Sequence, residues 1–153
     1  MIHSPDESTN PNAVVVRTTI AALSALDVEG VMACVHDDGI VVLPYESAVP
    51  DLDKSGLASF LEMLFDLYRQ FTIELTHIYD LKDPDILIAR YEGDCIGRAD
   101  EVRYSNNYIA VFEFTDGLIS SWREYDNPMI SAASQRAHAA AASARDEGDL
   151  KRS

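Results

Sequence analysis

Residues 102–126 read VRYSNNYIAVFEFTDGLISSWREYD. Two apolar-rich runs flank Asp116-Gly117, a dipeptide that favours a two-residue hairpin because both central positions take positive φ at little cost. On either side the pattern has the period of two that a strand requires. In the first run Tyr104, Asn106, Tyr108, Ala110 and Phe112 share a face. In the second, Leu118, Ser120, Trp122, Glu124 and Asp126 share one face, and Ile119, Ser121, Arg123 and Tyr125 the other. A fixed turn fixes a register, so strands at 102–115 and 118–126 anchor the reading.

Working outward, the same period gives strands at 72–80 and 85–96, with Asp83-Pro84-Asp85 as one turn and Gly97 to Asp100 as the next. In the strand at 85–96, Ile86, Ile88, Arg90, Glu92 and Asp94 share a face. Before residue 72 the period becomes helical. Asn10 or Asn12 caps a first helix around Pro11, with Val16, Ile20 and Leu23 on one side. Asp27 caps a second, with Val28, Val31, Met32 and Val35 apolar, stopped by Asp37-Asp38-Gly39. Ile40 to Leu43 follow as a short buried strand. Ser55 caps the strongest helix, whose face carries Leu57, Phe60, Leu61, Leu64, Phe65, Tyr68 and Phe71. Three helices followed by a meander of strands define an α+β domain, a curled antiparallel sheet with helices packed on one face. Residues 1–11 read as a flexible leader, 12–130 as the domain, and 131–153 as an Ala-rich helical tail with a weak apolar side.

The chain has 153 residues, 47% of them hydrophobic and 25% charged, within the size and composition of one globular domain. Twelve Lys and Arg against 26 Asp and Glu give a formal charge of −14, which repels phosphate. Nucleic acid and membrane surfaces are therefore not expected partners. No apolar run reaches the ~18 residues of a membrane span, and no signal-peptide pattern opens the chain. Cys34 and Cys95 have no motif spacing and fit a reducing, cytoplasmic setting.

Each of the long strands has a face that mixes large apolar groups with one or two charges, the composition of a concave surface that is part core and part pocket. If Arg90, Glu92 and Glu124 enter one cavity, a guanidinium lowers one carboxyl pKa while burial raises the other. Such a pair moves protons near neutral pH, one group as base and the other as acid. The same residues on a solvated face would be an ordinary ion-pair ladder.

Taken together, Tyr104-Ser105-Asn106-Asn107-Tyr108, Val111-Phe112, Asp116-Gly117-Leu118-Ile119 and Trp122-Arg123-Glu124-Tyr125-Asp126-Asn127-Pro128 resemble the SnoaL-like group of the nuclear transport factor 2-like superfamily. Pro44-Tyr45 and Ser55-Gly56 fit the same pattern, and the resemblance spans about residues 12–130. It implies a cone-shaped α+β barrel whose open end holds a small, mostly apolar molecule, usually in a homodimer. The group includes polyketide cyclases, ketosteroid isomerases, limonene epoxide hydrolase and phenazine-biosynthesis A/B proteins. By that resemblance Glu124 falls on a catalytic carboxylate, and Arg90-Tyr91-Glu92 is similar to the hydrolase's Arg-x-Asp. Glu92 and Glu124 would then be an acid and base bridged by Arg90. The short strand departs from these relatives: Ile40-Val41-Val42-Leu43 lacks the hydrolase's water-positioning Tyr and Asn, and Leu43 stands where the isomerases carry a base before the Pro.

Trp122, Asn106, Tyr108, Leu43, Tyr45 and Asp126 are expected to contact a ligand, Asp126 near the rim. His77 reads as a core or rim histidine, with a pocket proton carrier as the alternative; His3 and His138 read as solvated. No histidine pair has metal-ligand spacing, and no glycine-rich phosphate loop or nucleophile elbow occurs, so neither metal nor cofactor is expected. The expected function is a cofactor-independent isomerase, cyclase or epoxide-opening enzyme acting on a small apolar oxygenated metabolite. The alternative is a non-catalytic binding or dimerisation module of the same fold.

Overall fold

The computed structural model describes residues 1–152. In chain order they form β1 (Ile2–His3), α1 (Pro11–Ser24), α2 (Val28–Met32), β2 (Val35–Val42), α3 (Lys54–Leu67), β3 (Tyr68–Asp80), β4 (Ile86–Gly97), β5 (Arg103–Thr115), β6 (Leu118–Tyr125) and α4 (Pro128–Leu150). The strands make one curled sheet in the order β1-β3-β4-β5-β6-β2. Four long strands form the expected antiparallel meander, and two additions extend it. β2 runs parallel to β6, with Val41 beside Trp122, and β1 pairs with Tyr79 and Ile78 of β3. The sheet is therefore mixed, and residues 1–11 do not hang free. Ser8 Oγ donates to Asp80 at 2.8 Å and Arg17 reaches the Pro5 carbonyl at 2.7 Å.

Local chemistry explains the boundaries. Asn10 accepts from the Asn12 N–H with Pro11 opening α1, and Asn127 accepts from the Met129 N–H with Pro128 opening α4. α3 is capped by Asp53, two residues before the expected Ser55; its Oδ1 takes the Gly56 N–H at 2.7 Å. Tyr68 and Phe71 leave the helical face because the chain turns extended at Tyr68 and both join β3. The second helix stops at Met32 rather than at Asp37, since Val35 already pairs with Ile119. Asp116 and Gly117 have φ of 52° and 75°, the paired positive values of a type I′ hairpin.

α1 to α3 cover the concave face of the sheet, and the core lies between them. Val16, Val31, Ile78, Leu87 and Phe112 are wholly buried there, with Leu57, Leu61 and Phe65 of α3. The core stops short of one end of the cone, where α4 crosses the opening. No described helix is long and apolar enough to cross a membrane.

Candidate active site

A cavity of about 330 Å³ lies between the concave face, α3 and the first turns of α4, at the small end of the range for metabolite pockets. Its wall is mainly apolar: Val41 and Leu43 from the β2 end, Leu57, Phe60 and Leu64 from α3, Phe71 and Ile73 from β3. Polar groups enter from Tyr91, Tyr104, Tyr108, Trp122, Glu124 and Asp126, and from the α4 residues Ser131, Ser134, Gln135 and His138.

Glu124 sits opposite Ala110, which in turn pairs with Ala89. Two methyl side chains in that row leave the space its carboxyl occupies. The Tyr91 hydroxyl donates to Glu124 Oε2 in a short hydrogen bond. Burial pushes the Glu124 pKa up to about 7; the Tyr91 hydrogen bond pulls it down, and the charge of Asp126 pushes it up again. Glu124 is thus a carboxyl poised at neutrality. Tyr91 is itself 2% exposed and stacks on Tyr108, with ring centres 5.3 Å apart. Burial, followed by the charge of Glu124, holds its phenol protonated well above the usual range. The Trp122 indole is 3% exposed and lies close enough to lower the pKa of both Glu124 and Tyr91. Its Nε1–H nevertheless makes no hydrogen bond of standard geometry within the protein. An indole N–H is donor-only, so the position suits a ligand oxygen.

A second network flanks the first. Tyr108 donates to the Tyr104 hydroxyl at 2.9 Å, Tyr104 meets Ser131 Oγ at 3.3 Å, and Ser131 donates to Asp126 in a short bond. Asn106 ties this cluster together. Its Nδ2 donates to Tyr104 at 2.8 Å and to Asp126 at 3.3 Å, while its Oδ1 accepts from the Asn127 N–H at 3.2 Å. It is a positioning residue behind the wall rather than the ligand contact expected for it.

The strand register separates the expected trio. Tyr91, not its neighbours, shares the concave face with Tyr108 and Glu124, so Arg90 and Glu92 point to the convex side. Arg90 is exposed and reaches the Tyr79 hydroxyl at 3.4 Å; Glu92 is also exposed. Neither can bridge or partner Glu124; the nearby second carboxyl is Asp126. His77 is corrected for a similar reason. An irregularity between Leu75 and His77 reverses the alternation, so Ile78 enters the core and His77 pairs with Arg90 on the convex side. In β6 an extra residue, Ser120, has the same effect: Ile119 is buried and the concave run resumes at Trp122. Trp122, Tyr108, Leu43, Tyr45 and Asp126 do line the cavity, Tyr45 at the rim at 54% exposure.

His138 departs from its expected solvated state. Its Nδ1 lies 2.5 Å from Asp100 Oδ2, and the two side chains are 16% and 5% exposed. Burial would raise the Asp100 pKa, but the hydrogen bonds from His138 and the Val102 N–H lower it overall. Tyr91, Tyr104 and the α4 residues are the lining groups that the sequence reading missed. Tyr91 follows from the register of β4 with β5, which the Arg98–Val102 connection sets, whereas Tyr104 lies on the face of β5 that the alternation already gives to Tyr108. The last show as Ser131, Ser134, Gln135 and His138, spaced i, i+3, i+4 and i+7 along one helix face.

With this fold and cavity, residues 16–122 match the model of the SnoaL-like domain, and the chain belongs to that family. Among curated proteins it is similar to an uncharacterised PhzA/B-like protein of Pseudomonas aeruginosa, 24% identical over 105 residues, 67% of this chain and 74% of that one. Among solved structures it is similar to a candidate isomerase from Bacillus subtilis, TM-score 0.73 at 20% identity, covering 83% of this chain and 94% of that one. The BvnE pinacolase from Penicillium brevicompactum superimposes with TM-score 0.75 at 14% identity, covering 86% and 96%. These likenesses show the cone-shaped α+β fold; the chemistry has to be argued from the cavity.

Proposed function

We propose that this protein is a cofactor-independent proton-transfer enzyme, an isomerase or cyclase, acting on a small apolar ketone held in the cone. The observation that carries the reading is Glu124: a carboxyl with a pKa near 7 in an apolar cavity, oriented by Tyr91, beside the indole N–H of Trp122. A base whose pKa lies near the working pH combines adequate ionisation with adequate basicity. Glu124 as carboxylate takes a proton from the carbon next to the carbonyl. Trp122 donates to the oxygen as it gains enolate charge, the differential stabilisation that speeds such a step. Glu124, now protonated, returns the proton at a second carbon to complete an isomerisation. The names of the isomerase and pinacolase neighbours agree with rearrangement chemistry of this kind.

A small apolar metabolite as partner is supported by the wall composition. Association into a homodimer belongs to the same proposal. The convex face presents Ile109 at 43% exposure, with Ile88 and Val111 half-buried beside it. Two free, buried cysteines are compatible with a cytoplasmic setting.

A binding module is the second reading, favoured by the saturation of Asn106, Tyr104, Ser131 and Asp126 by one another. Deuterium incorporation next to the carbonyl of benzylacetone, tetralone and estrone, followed by NMR in D2O, separates the two. Expected is exchange above the buffer rate with at least one ketone, rising through an inflection near pH 7 and lost in Glu124→Gln. Binding without exchange for the whole panel, or exchange that survives in Glu124→Gln, overturns the catalytic reading.

A further inference from the structure

The described residues contain four buried side-chain polar atoms without a hydrogen-bond partner in the protein: His77 Nδ1, Trp122 Nε1, Ser134 Oγ and His138 Nε2. Three of the four belong to cavity-lining residues. Buried polar atoms are normally hydrogen-bonded, so three on residues of one cavity wall are groups that a ligand's polar atoms could satisfy. They fall into two groups. Trp122 lies beside Glu124 in the sheet, whereas Ser134 and His138 lie on α4. His138 is seven residues beyond Ser131, which puts it about 10 Å further along the helix axis than the Asp126 cluster.

The His138 end is built, not incidental. Asp100 is held by the Val102 N–H at 3.0 Å and fixes Nδ1 of the imidazole, and the ring stands edge-on to Tyr68, centres 5.9 Å apart. Gly97 leaves room for this arrangement: a Cβ there would lie 2.0 Å from Asp100 Oδ1 and 3.1 Å from His138 Cε1. A carboxylate on Nδ1 favours the tautomer with its proton on that nitrogen, which leaves Nε2 as an acceptor. Ser134 Oγ lies against the Tyr68 hydroxyl and lowers its pKa, so one hydroxyl of this pair can supply a donor. An acceptor and a hydroxyl side by side suit a ligand hydroxyl. The donor-only Trp122 suits a carbonyl oxygen.

We propose that Asp100, His138 and Ser134 form a second polar subsite that binds a hydroxyl at the far end of the ligand from its carbonyl. The substrate class is thereby an elongated apolar hydroxyketone, phenolic or alicyclic. The ketone half of this assignment rests on the function proposed above; the hydroxyl half does not.

Calorimetric titration of the full-length protein with matched ketones tests it: raspberry ketone against benzylacetone, which lacks the phenol hydroxyl, and estrone against its analogue without that hydroxyl. Expected is roughly tenfold tighter binding of the hydroxylated member of at least one pair, the value of one well-made hydrogen bond. His138→Leu should abolish that preference. Asp100→Asn, which removes the fixed tautomer but keeps the shape, should weaken the preference. No preference in either pair, no binding of either hydroxyketone, or a preference that persists in His138→Leu overturns the subsite. The wild-type comparison needs no variant to fold. A hydroxyl preference without deuterium exchange would sink the catalytic reading alone, and exchange without the preference would sink the subsite alone.

Discussion

Replacing Glu124 by Gln should change the pH dependence of stability more than the stability itself. In the folded protein the carboxyl titrates near 7, against 4.5 for an unperturbed one. Between those values the folded state keeps a proton that the unfolded chain releases. The stabilisation is therefore complete below about pH 4.5 and is lost as pH rises through about 7. A shift of that size is worth about 3 kcal/mol at about 1.36 kcal/mol per unit. Gln has nearly the same shape, can still accept from Tyr91, and carries no charge at any pH. The stability of the wild type relative to Glu124→Gln should thus fall by about 2–3 kcal/mol between pH 5 and pH 8.5. Urea unfolding of both proteins by far-UV circular dichroism, with linear extrapolation, measures the difference. The carboxylates whose pKa is lowered, such as Asp94 and Glu101, are common to both chains and cancel. A difference constant to about 0.5 kcal/mol would mean that Glu124 titrates like a surface residue, and the proposed base would lose its physical foundation.

Tyr91→Phe removes the hydrogen bond that pulls the Glu124 pKa down, so the inflection of deuterium exchange should move above pH 7; an unmoved inflection would show that Tyr91 does not orient the base. Gly97→Ala forces a Cβ into Asp100 and should cost about 1–3 kcal/mol by thermal unfolding, whereas an unchanged melting temperature would deny the close packing of the Asp100–His138 pair. Glu92→Gln lies on the convex face and should alter stability by less than about 0.5 kcal/mol and leave exchange intact; lost exchange would return Glu92 to the site. Phe112→Ala empties the centre of the core beneath Trp122 and should cost about 3–5 kcal/mol, measured by urea unfolding.

The meander was legible because Asp116-Gly117 pins one hairpin and the alternation runs outward from it. The helix starts were nearly as clear, since Asn10-Pro11 and Asp27 are local caps that need no tertiary information. The site was legible only in part, and register explains the division. The alternation places the inner face of strand 102–115 correctly, but in the strand before it the charged parity, Arg90 and Glu92, reads as the inner one where the register puts Tyr91. Both parities of that strand carry apolar residues, and only the pairing across the Arg98–Val102 connection chooses between them. Its true inner face, Leu87, Ala89, Tyr91, Gly93 and Cys95, looks weak in sequence because three of its five residues, Ala89, Gly93 and Cys95, are small. Those residues are small because Glu124 and Tyr108 need the space; a Cβ on Gly93 would meet Tyr108 at 3.0 Å. The irregularities at Leu75–His77 and at Ser120 are invisible to a simple period of two. α4 was foreseen as a helix, but its function lies in a polar stripe rather than in apolar burial, which a search for hydrophobic periodicity passes over.

The most direct test of the central claim is the titration of Glu124 itself, followed by the side-chain carboxyl signal of protein labelled with 13C at Glu Cδ and assigned by its disappearance in Glu124→Gln. Expected is one glutamate with a midpoint near pH 7, set apart from the exposed glutamates. A Glu124 midpoint near about 4.3, the value of a solvated glutamate, would contradict the existence of a buried base in the cone.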